Sequence, residues 1–241
     1  NLAAMTIGEW PAAVPEDWRV PPEALRPERE FPRFPDVAKE WGLDTMDLSG
    51  GSVADDFDGD GVLDLVTSTW DPRGGLHLFL GRGAGRYEAV TDAWGLAGLP
   101  GGLNMLQGDC DGDGDPDLLV LRGAWLGRDG KVPNSLLRND QERFVDVTFE
   151  SGLGAKHYPT QAAAFADYDN DGDLDLYIGN EGDQRVRAPG QLFENQGDGT
   201  FRDRAEELGV ENGLFAKGVA WGDFDGDRWP DLYVSNMGEL N

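Results

Sequence analysis

Apolar positions along the chain fall in short runs rather than in a helical stripe. Runs rich in branched and aromatic side chains recur as Leu65-Val-Thr67, Leu118-Leu-Val-Leu121, Leu176-Tyr-Ile178 and Leu232-Tyr-Val234. A loop of variable length leads from three of these to a further run: Leu76-His-Leu-Phe-Leu80, Ser135-Leu-Leu137 and Gln191-Leu-Phe193. Most are preceded by a small-residue run: Gly51-Ser-Val-Ala54, Ala162-Ala-Ala-Phe-Ala166 and Gly218-Val-Ala-Trp221. Runs this short, bounded by Gly and Asp, predict β-strands. A tight turn, plainest in Asn195-Gln-Gly-Asp-Gly199-Thr-Phe201, leads to a fourth strand that opens on an aromatic residue. Glycine there supplies positive φ. After the fourth strand, Ala38-Lys-Glu-Trp41 followed by Gly42 predicts a brief helical turn with a glycine cap.

The pattern is periodic. Between the small-residue run and the second strand lies a ladder of aspartates, Asp56-Phe57-Asp58-Gly59-Asp60-Gly61-Val62-Leu63-Asp64. It recurs as Asp109-Cys110-Asp111-Gly112-Asp113-Gly114-Asp115-Pro116-Asp117, as Asp167-Tyr168-Asp169-Asn170-Asp171-Gly172-Asp173-Leu174-Asp175, and as Asp223-Phe224-Asp225-Gly226-Asp227-Arg228-Trp229-Pro230-Asp231. The copies start 53, 58 and 56 residues apart, and the aromatic positions Phe34, Tyr87, Phe144 and Phe201 precede them by 22, 22, 23 and 22 residues. Two motifs in register through four copies define one module of about four strands. The expected fold is all-β, a β-propeller of four-stranded antiparallel blades with the ladder between first and second strands. Residues 34–241 hold the blades, the last unit being incomplete. Residues 1–33 are rich in proline and are expected to form an extended arm without a core of its own.

Carboxylates at the first, third, fifth and ninth places of a ladder repel one another unless a cation compensates them. Ca²⁺ takes six to eight oxygens, and this donor set suits it. The proposed ligands are Asp56, Asp58, Asp60 and Asp64; Asp109, Asp111, Asp113 and Asp117; Asp167, Asp169, Asp171 and Asp175; Asp223, Asp225, Asp227 and Asp231. The seventh residues, Val62, Asp115, Asp173 and Trp229, can add a main-chain carbonyl. Up to four Ca²⁺ are expected. An EF-hand is excluded, because its twelfth position needs Glu before a helix, whereas here Thr67, Val120, Ile178 and Val234 lie in strands. Zn²⁺ lacks a His or Cys set. The apolar second residue of each ladder should anchor the loop, which makes Cys110 a small buried hydrophobe. Arg228 stands where three ladders have Gly, so the fourth site should be strained and weaker.

The segments Phe165-Ala-Asp-Tyr-Asp-Asn-Asp-Gly-Asp-Leu-Asp-Leu-Tyr177 and Gln191-Leu-Phe-Glu-Asn-Gln-Gly-Asp-Gly-Thr-Phe201 resemble FG-GAP/VCBS repeats. The resemblance is greatest to the ASPIC/UnbV-associated group, with integrin α-subunit propellers more distant. It implies a calcium-binding propeller, usually of seven blades, in an extracellular or exported protein, and no particular reaction. Four units do not close such a ring, so further blades are expected outside these 241 residues, and a strand at Phe34 would lack blade neighbours here.

Charge narrows the partners. The net charge of −26 repels nucleic acid and anionic membranes. Four bound Ca²⁺ would leave about −18, which suits a soluble protein outside the cell. One cysteine forbids an internal disulfide and by itself leaves the compartment open. Loops of micromolar or weaker affinity fill at extracellular calcium, which favours export to the periplasm, cell surface or exterior. No catalytic set is seen: His77 and His157 have no matching nucleophile. The connections between second and third strands, 70–75, 123–134 and 181–190, vary most and gather Arg73, Arg128, Lys131, Arg185 and Arg187. They are the expected face for protein or glycan, with Trp70 and Trp125 as candidate anchors. The arm is expected to dock on a partner or on the propeller. The reading is therefore a non-enzymatic calcium-binding scaffold. The alternatives are an enzyme whose site uses other blades or domains, or an integrin-like adhesion receptor.

Overall fold

The computed structural model of the chain describes residues 8–26, 32, 34–71, 73–182 and 186–238. Two units, Asn1–Val37 and Ala38–Asn241, are taken separately. In the first, the proline-rich stretch is not simply extended. It makes two short 3-10 turns, Glu16–Trp18 and Pro22–Leu25, each with a proline immediately before it. Proline fixes φ near the value such a turn needs and so opens it, where composition alone suggests a straight arm. Arg19 Nε donates to Val14 O at 2.9 Å. Phe34 is exposed and residues 34–37 carry no strand. No third strand is described before it, and a lone strand leaves its main-chain groups without partners.

The second unit opens with α1 (Ala38–Trp41), capped by Gly42 at φ 80°. Blade one is β1 (Ser52–Asp55), β2 (Asp64–Ser68), β3 (Leu76–Gly81) and β4 (Tyr87–Ala89). Blade two is β5 (Asn104–Gly108), β6 (Asp117–Leu121), β7 (Ser135–Asn139) and β8 (Phe144–Asp146). Blade three is β9 (Thr160–Ala166), β10 (Asp175–Asn180), β11 (Gln191–Asn195) and β12 (Phe201–Asp203), followed by α2 (Ala205–Leu208) with its Gly209 cap. The fourth unit contributes β13 (Ala216–Gly222) and β14 (Asp231–Asn236). Within each sheet the strands pair antiparallel in chain order. β5 escapes the small-residue pattern because Asn104 and Gln107 interrupt it; Asn104 is used across blades, its Nδ2 donating to Gln161 O at 3.1 Å.

The second strand of a blade is its spine, and its two faces serve two neighbours. Leu118 and Val120 of β6 belong to a core shared with Val53, Val66 and Leu78 of blade one. Leu119 and Leu121 join Leu176, Ile178 and Phe193 of blade three. Alternation of side chains along a strand therefore splits one apolar run between two cores. All five residues of β6 and all six of β10 are buried, whereas no residue of β14 is. Each such Leu or Ile withdrawn from water is worth roughly 1.5–3 kcal/mol. Packed this way, the sheets place all four ladder loops at one end of the strands and the second-to-third connections at the other.

Candidate metal centres

Every ladder begins at the residue after a first strand and ends on the first residue of a second strand, where Asp64, Asp117, Asp175 and Asp231 pair with Asp55, Gly108, Ala166 and Gly222. Between those points the backbone turns left-handed twice. The sixth residues Gly61, Gly114 and Gly172 have φ of 84°, 96° and 101°, and Arg228 is forced to 76°. The fourth residues Gly59, Gly112, Asn170 and Gly226 are left-handed as well, at 69°, 77°, 58° and 84°. That second requirement is written in the sequence as Gly, Gly, Asn, Gly, the residue types that tolerate it.

The double turn brings the first, third and ninth carboxylates together. One oxygen each from Asp56, Asp58 and Asp64 lies within 4.8 Å of the others, and so it is for Asp109, Asp111 and Asp117, for Asp167, Asp169 and Asp175, and for Asp223, Asp225 and Asp231. The fifth residues stand outside these triplets. Asp60, Asp113, Asp171 and Asp227 accept the N–H of Val62, Asp115, Asp173 and Trp229 at 2.8, 2.9, 3.0 and 2.8 Å, bracing the second turn. The first residue braces it from below: Asp56 accepts from the N–H of Asp60 and Gly61 at 3.0 and 2.8 Å, and Asp109 from those of Asp113 and Gly114 at 3.2 and 2.9 Å.

The ninth carboxylate is a structural hub. Asp117 Oδ2 accepts the Cys110 N–H at 2.9 Å and its Oδ1 the Asn139 N–H at 2.8 Å. Asp64 holds Phe57 and Gly81 likewise, and Asp175 holds Tyr168 and Asn195. Asn139 and Asn195 then reach across blades, their Nδ2 donating to Phe57 O at 3.0 Å and to Cys110 O at 2.8 Å. The repeat of Asn at the end of the third strand was the signal for this staple, visible only once the strand ends are known.

Burial sets the charge state. Asp117 is pushed up to about 7 and Asp175 to about 6, mainly by desolvation and further by their neighbouring carboxylates, against the main-chain N–H groups that favour the anion. Asp64, Asp111 and Asp169 are raised for the same first reason. Cys110 is buried and its thiol is raised by burial, which leaves it inert. The third-position oxygens Asp111 Oδ1 and Asp169 Oδ1 are buried and accept no hydrogen bond. Unpaired carboxylate oxygens facing two further carboxylates fit a hard cation and little else. Beside Asp111 the turn between β11 and β12 closes a small cavity of about 80 Å³ with Asp198 and Thr200.

Cations not anticipated from the ladder pattern modulate two of the loops. Arg82 Nη1 donates to Asp58 Oδ2 at 3.0 Å, and Arg138 Nε lies 3.8 Å from Asp111 Oδ2. At the place of Arg138 the third blade has Glu194, which accepts from Tyr168 Oη at 2.8 Å and Arg204 Nη1 at 2.6 Å.

On the opposite face Trp70 and Trp125 are exposed. Trp125 also touches Phe215 of the fourth unit, with ring centroids 5.9 Å apart. Arg73 pairs with Asp71 at 3.4 Å. Arg185 lies outside the described residues. His77 sits 3.6 Å from Asp47 and His157 against Phe149. Among the described residues no helix is long and apolar enough to cross a membrane.

Comparison with known proteins agrees with this architecture. Cartilage acidic protein 1 of Homo sapiens and that of Mus musculus are each 28% identical to the chain over 156 residues, 62% of this chain and 23% of the relative's length. The FG-GAP-like repeat family matches residues 56–120 and 167–234, more than half of the chain and spanning the ladders of all four units. With its antiparallel blades and its ladders between first and second strands, the chain belongs to the FG-GAP-like repeat family.

Proposed function

We propose that this chain is part of a calcium-loaded β-propeller scaffold of an extracellular protein, presenting its variable loops to a protein or glycan partner and catalysing no reaction. The observation that carries the calcium reading is the pair of buried, unpaired oxygens on Asp111 and Asp169, each within a triplet of carboxylates. Ca²⁺ would be held by the first, third and ninth Asp of each loop, with the fifth Asp and the seventh carbonyl available to the remaining coordination places. Bound there, it would neutralise groups that burial otherwise drives towards protonation.

The extracellular reading rests on the calcium levels that such loops need, on the acidity of the chain and on its similarity to cartilage acidic protein 1. The arm supplies a second contact point for a partner. Calorimetric titration of chelator-treated protein tests the metal reading. Heat of Ca²⁺ binding that is abolished by Asp111→Asn with Asp169→Asn in those two loops is expected. Absence of Ca²⁺ binding, or equal affinity for Mg²⁺, would overturn it.

A further inference from the structure

The closing aspartates of the first three ladders are joined by a line of hydrogen bonds that crosses two blade boundaries. Phe57 N–H donates to Asp64 Oδ2 of its own ladder at 2.9 Å, and Phe57 O accepts from Asn139 Nδ2 of blade two at 3.0 Å. Asn139 N–H donates to Asp117 Oδ1 at 2.8 Å. One asparagine thus holds two ladders, the first with its side chain and the second with its main chain. The pattern then repeats. Asp117 Oδ2 accepts the Cys110 N–H at 2.9 Å, Cys110 O accepts from Asn195 Nδ2 at 2.8 Å, and Asn195 N–H donates to Asp175 Oδ1 at 2.8 Å.

The line has definite ends. Blade one has Gly81 where the later blades have asparagine. Its N–H donates to Asp64 Oδ1 at 2.7 Å, but it has no side chain to carry the link further. A Cβ there would meet Leu63 O at 2.5 Å, so no asparagine fits. The fourth unit has no third strand among the described residues, and nothing of this kind there joins the fourth ladder to the third.

Every residue in the line is buried, Asp64, Asn139 and Asp175 completely. Water therefore cannot take over a broken link, and a loop that loosens leaves unpaired polar groups in the ladder beside it. Hydrogen bonds in such a setting also polarise one another. A cation that draws Asp56, Asp58 and Asp64 together fixes Phe57, whose ring packs on Phe144 of blade two with centroids 5.8 Å apart. Through Asn139 it also fixes the carboxylate that closes the second ladder. Two binding events that order the same groups favour each other, and the coupling is reciprocal.

We infer that Asn139 and Asn195 are positioning residues that make Ca²⁺ binding cooperative across the first three ladders and leave the fourth independent. The inference rests on the calcium reading and concerns how its sites act together. The test is a Ca²⁺ titration, by NMR, of the isotopically labelled full chain after chelation. It is read at the amides of Gly61, Gly114 and Gly172, which donate to Asp56, Asp109 and Asp167 and so report each ladder by itself. The three should move together, along a curve steeper than single-site binding. Asp109→Asn with Asp111→Asn empties the second ladder and removes the two negative charges that Ca²⁺ would neutralise, so its neighbours feel the charge of the filled state. It should raise the Ca²⁺ midpoints at Gly61 and Gly172 by about fivefold or more. Asn139→Leu removes one side-chain bond, because Asn139 Oδ1 accepts none. It should raise the Gly61 midpoint and abolish its response to the emptied second ladder. Asp223→Asn with Asp225→Asn should leave Gly172 unmoved. If Asn139→Leu does not fold, the emptied second ladder set against the emptied fourth decides. Midpoints that ignore the emptied second ladder, a Gly61 response that survives Asn139→Leu, or an equal response of Gly172 to the second and fourth ladders overturns the inference and keeps the calcium sites. No Ca²⁺-dependent shift at any of the three glycines removes the calcium reading and the inference with it.

Discussion

The ladder at 109–117 and the ladder at 223–231 share their first, third, fifth and ninth aspartates, but within these 241 residues only the first is followed by the remaining strands of its blade and by a further blade that cover it. In the second loop the anchor Cys110 is 3% exposed and the closing Asp117 is 2% exposed. Blade three lies over it, with Asn195 Nδ2 on Cys110 O and the β11–β12 turn against Asp111. In the fourth loop the anchor Phe224 is 66% exposed, and the triplet of Asp223, Asp225 and Asp231 is largely open to water. Asp231 keeps the Phe224 N–H at 2.9 Å, and among the described residues it has no second main-chain donor like Asn139. The comparison teaches that a ladder supplies charges, while the neighbouring blade supplies the low dielectric that makes those charges need a cation. Affinity should follow burial more closely than it follows the count of carboxylates.

The largest test of that contrast is removal of the metal. A ligand bound only by the native state stabilises it by about 2.7 kcal/mol per site at a hundredfold excess over Kd, so emptying the second and third loops should cost on the order of 5 kcal/mol. Calorimetric melting with and without EGTA reads this. Loss of the fourth loop alone, through Asp223→Asn with Asp225→Asn, should leave most of the shift in place.

Next comes the hub. Asp117→Ala strands the buried N–H groups of Cys110 and Asn139 and should cost about 2–5 kcal/mol in urea unfolding, the price of two unpaired donors. Asp231→Ala, with water at hand, should cost about 1 kcal/mol or less. Equal losses would refute the claim that burial separates the two loops.

Proton linkage gives a third measure. Asp117 and Asp175 have native values near 7 and 6, above their ordinary value of 3.8, so the native state binds more protons than the unfolded chain between about pH 4 and 7. Stability of the calcium-free protein should therefore fall as pH rises through that window, by on the order of 5 kcal/mol, most of it from Asp117 and the rest from Asp175 after discounting for partial solvent screening. Saturating Ca²⁺, which replaces those protons, should flatten the profile. Melting temperatures at pH 5 and pH 8, with EGTA and with Ca²⁺, decide it.

The smallest effect belongs to Arg228. At φ 76° its side chain is strained, so Arg228→Gly should stabilise the fold by up to about 1 kcal/mol and tighten the fourth site by removing a nearby positive charge. Terbium luminescence sensitised by Trp229, which sits within that ladder, isolates its titration from the others. A fourth loop that fills first, or no gain from Arg228→Gly, would count against this view of the turn.

Much of this was legible in the residues. Short apolar runs gave the strands, their repetition gave the blades, and the sixth-position Gly announced a left-handed turn that even Arg228 must adopt. Other features needed the fold. Nothing in Asp60, Asp113, Asp171 and Asp227 marks them as turn braces rather than members of the triplets, because both roles ask for a carboxylate. Asn139, Asn195, Arg82 and Arg138 sit in strand ends or turns whose chemistry appears only when the next blade or the adjacent loop is beside them. β5 was hidden by Asn104, whose polar side chain is satisfied across the blade boundary at Gln161.

The sequence by itself determined the unit: four ladders, their spacing, the all-β character and the donor chemistry of oxygen alone. These are local, since a loop of nine residues and a strand of five are fixed by their own side chains and dihedral preferences. Only the tertiary structure decided which carboxylates are desolvated, which oxygens go unpaired, and that Asn139 and Asn195 tie three ladders into one line of hydrogen bonds. Desolvation and convergence are properties of residues far apart in the chain, and no pattern along the chain states how closely one sheet packs on the next.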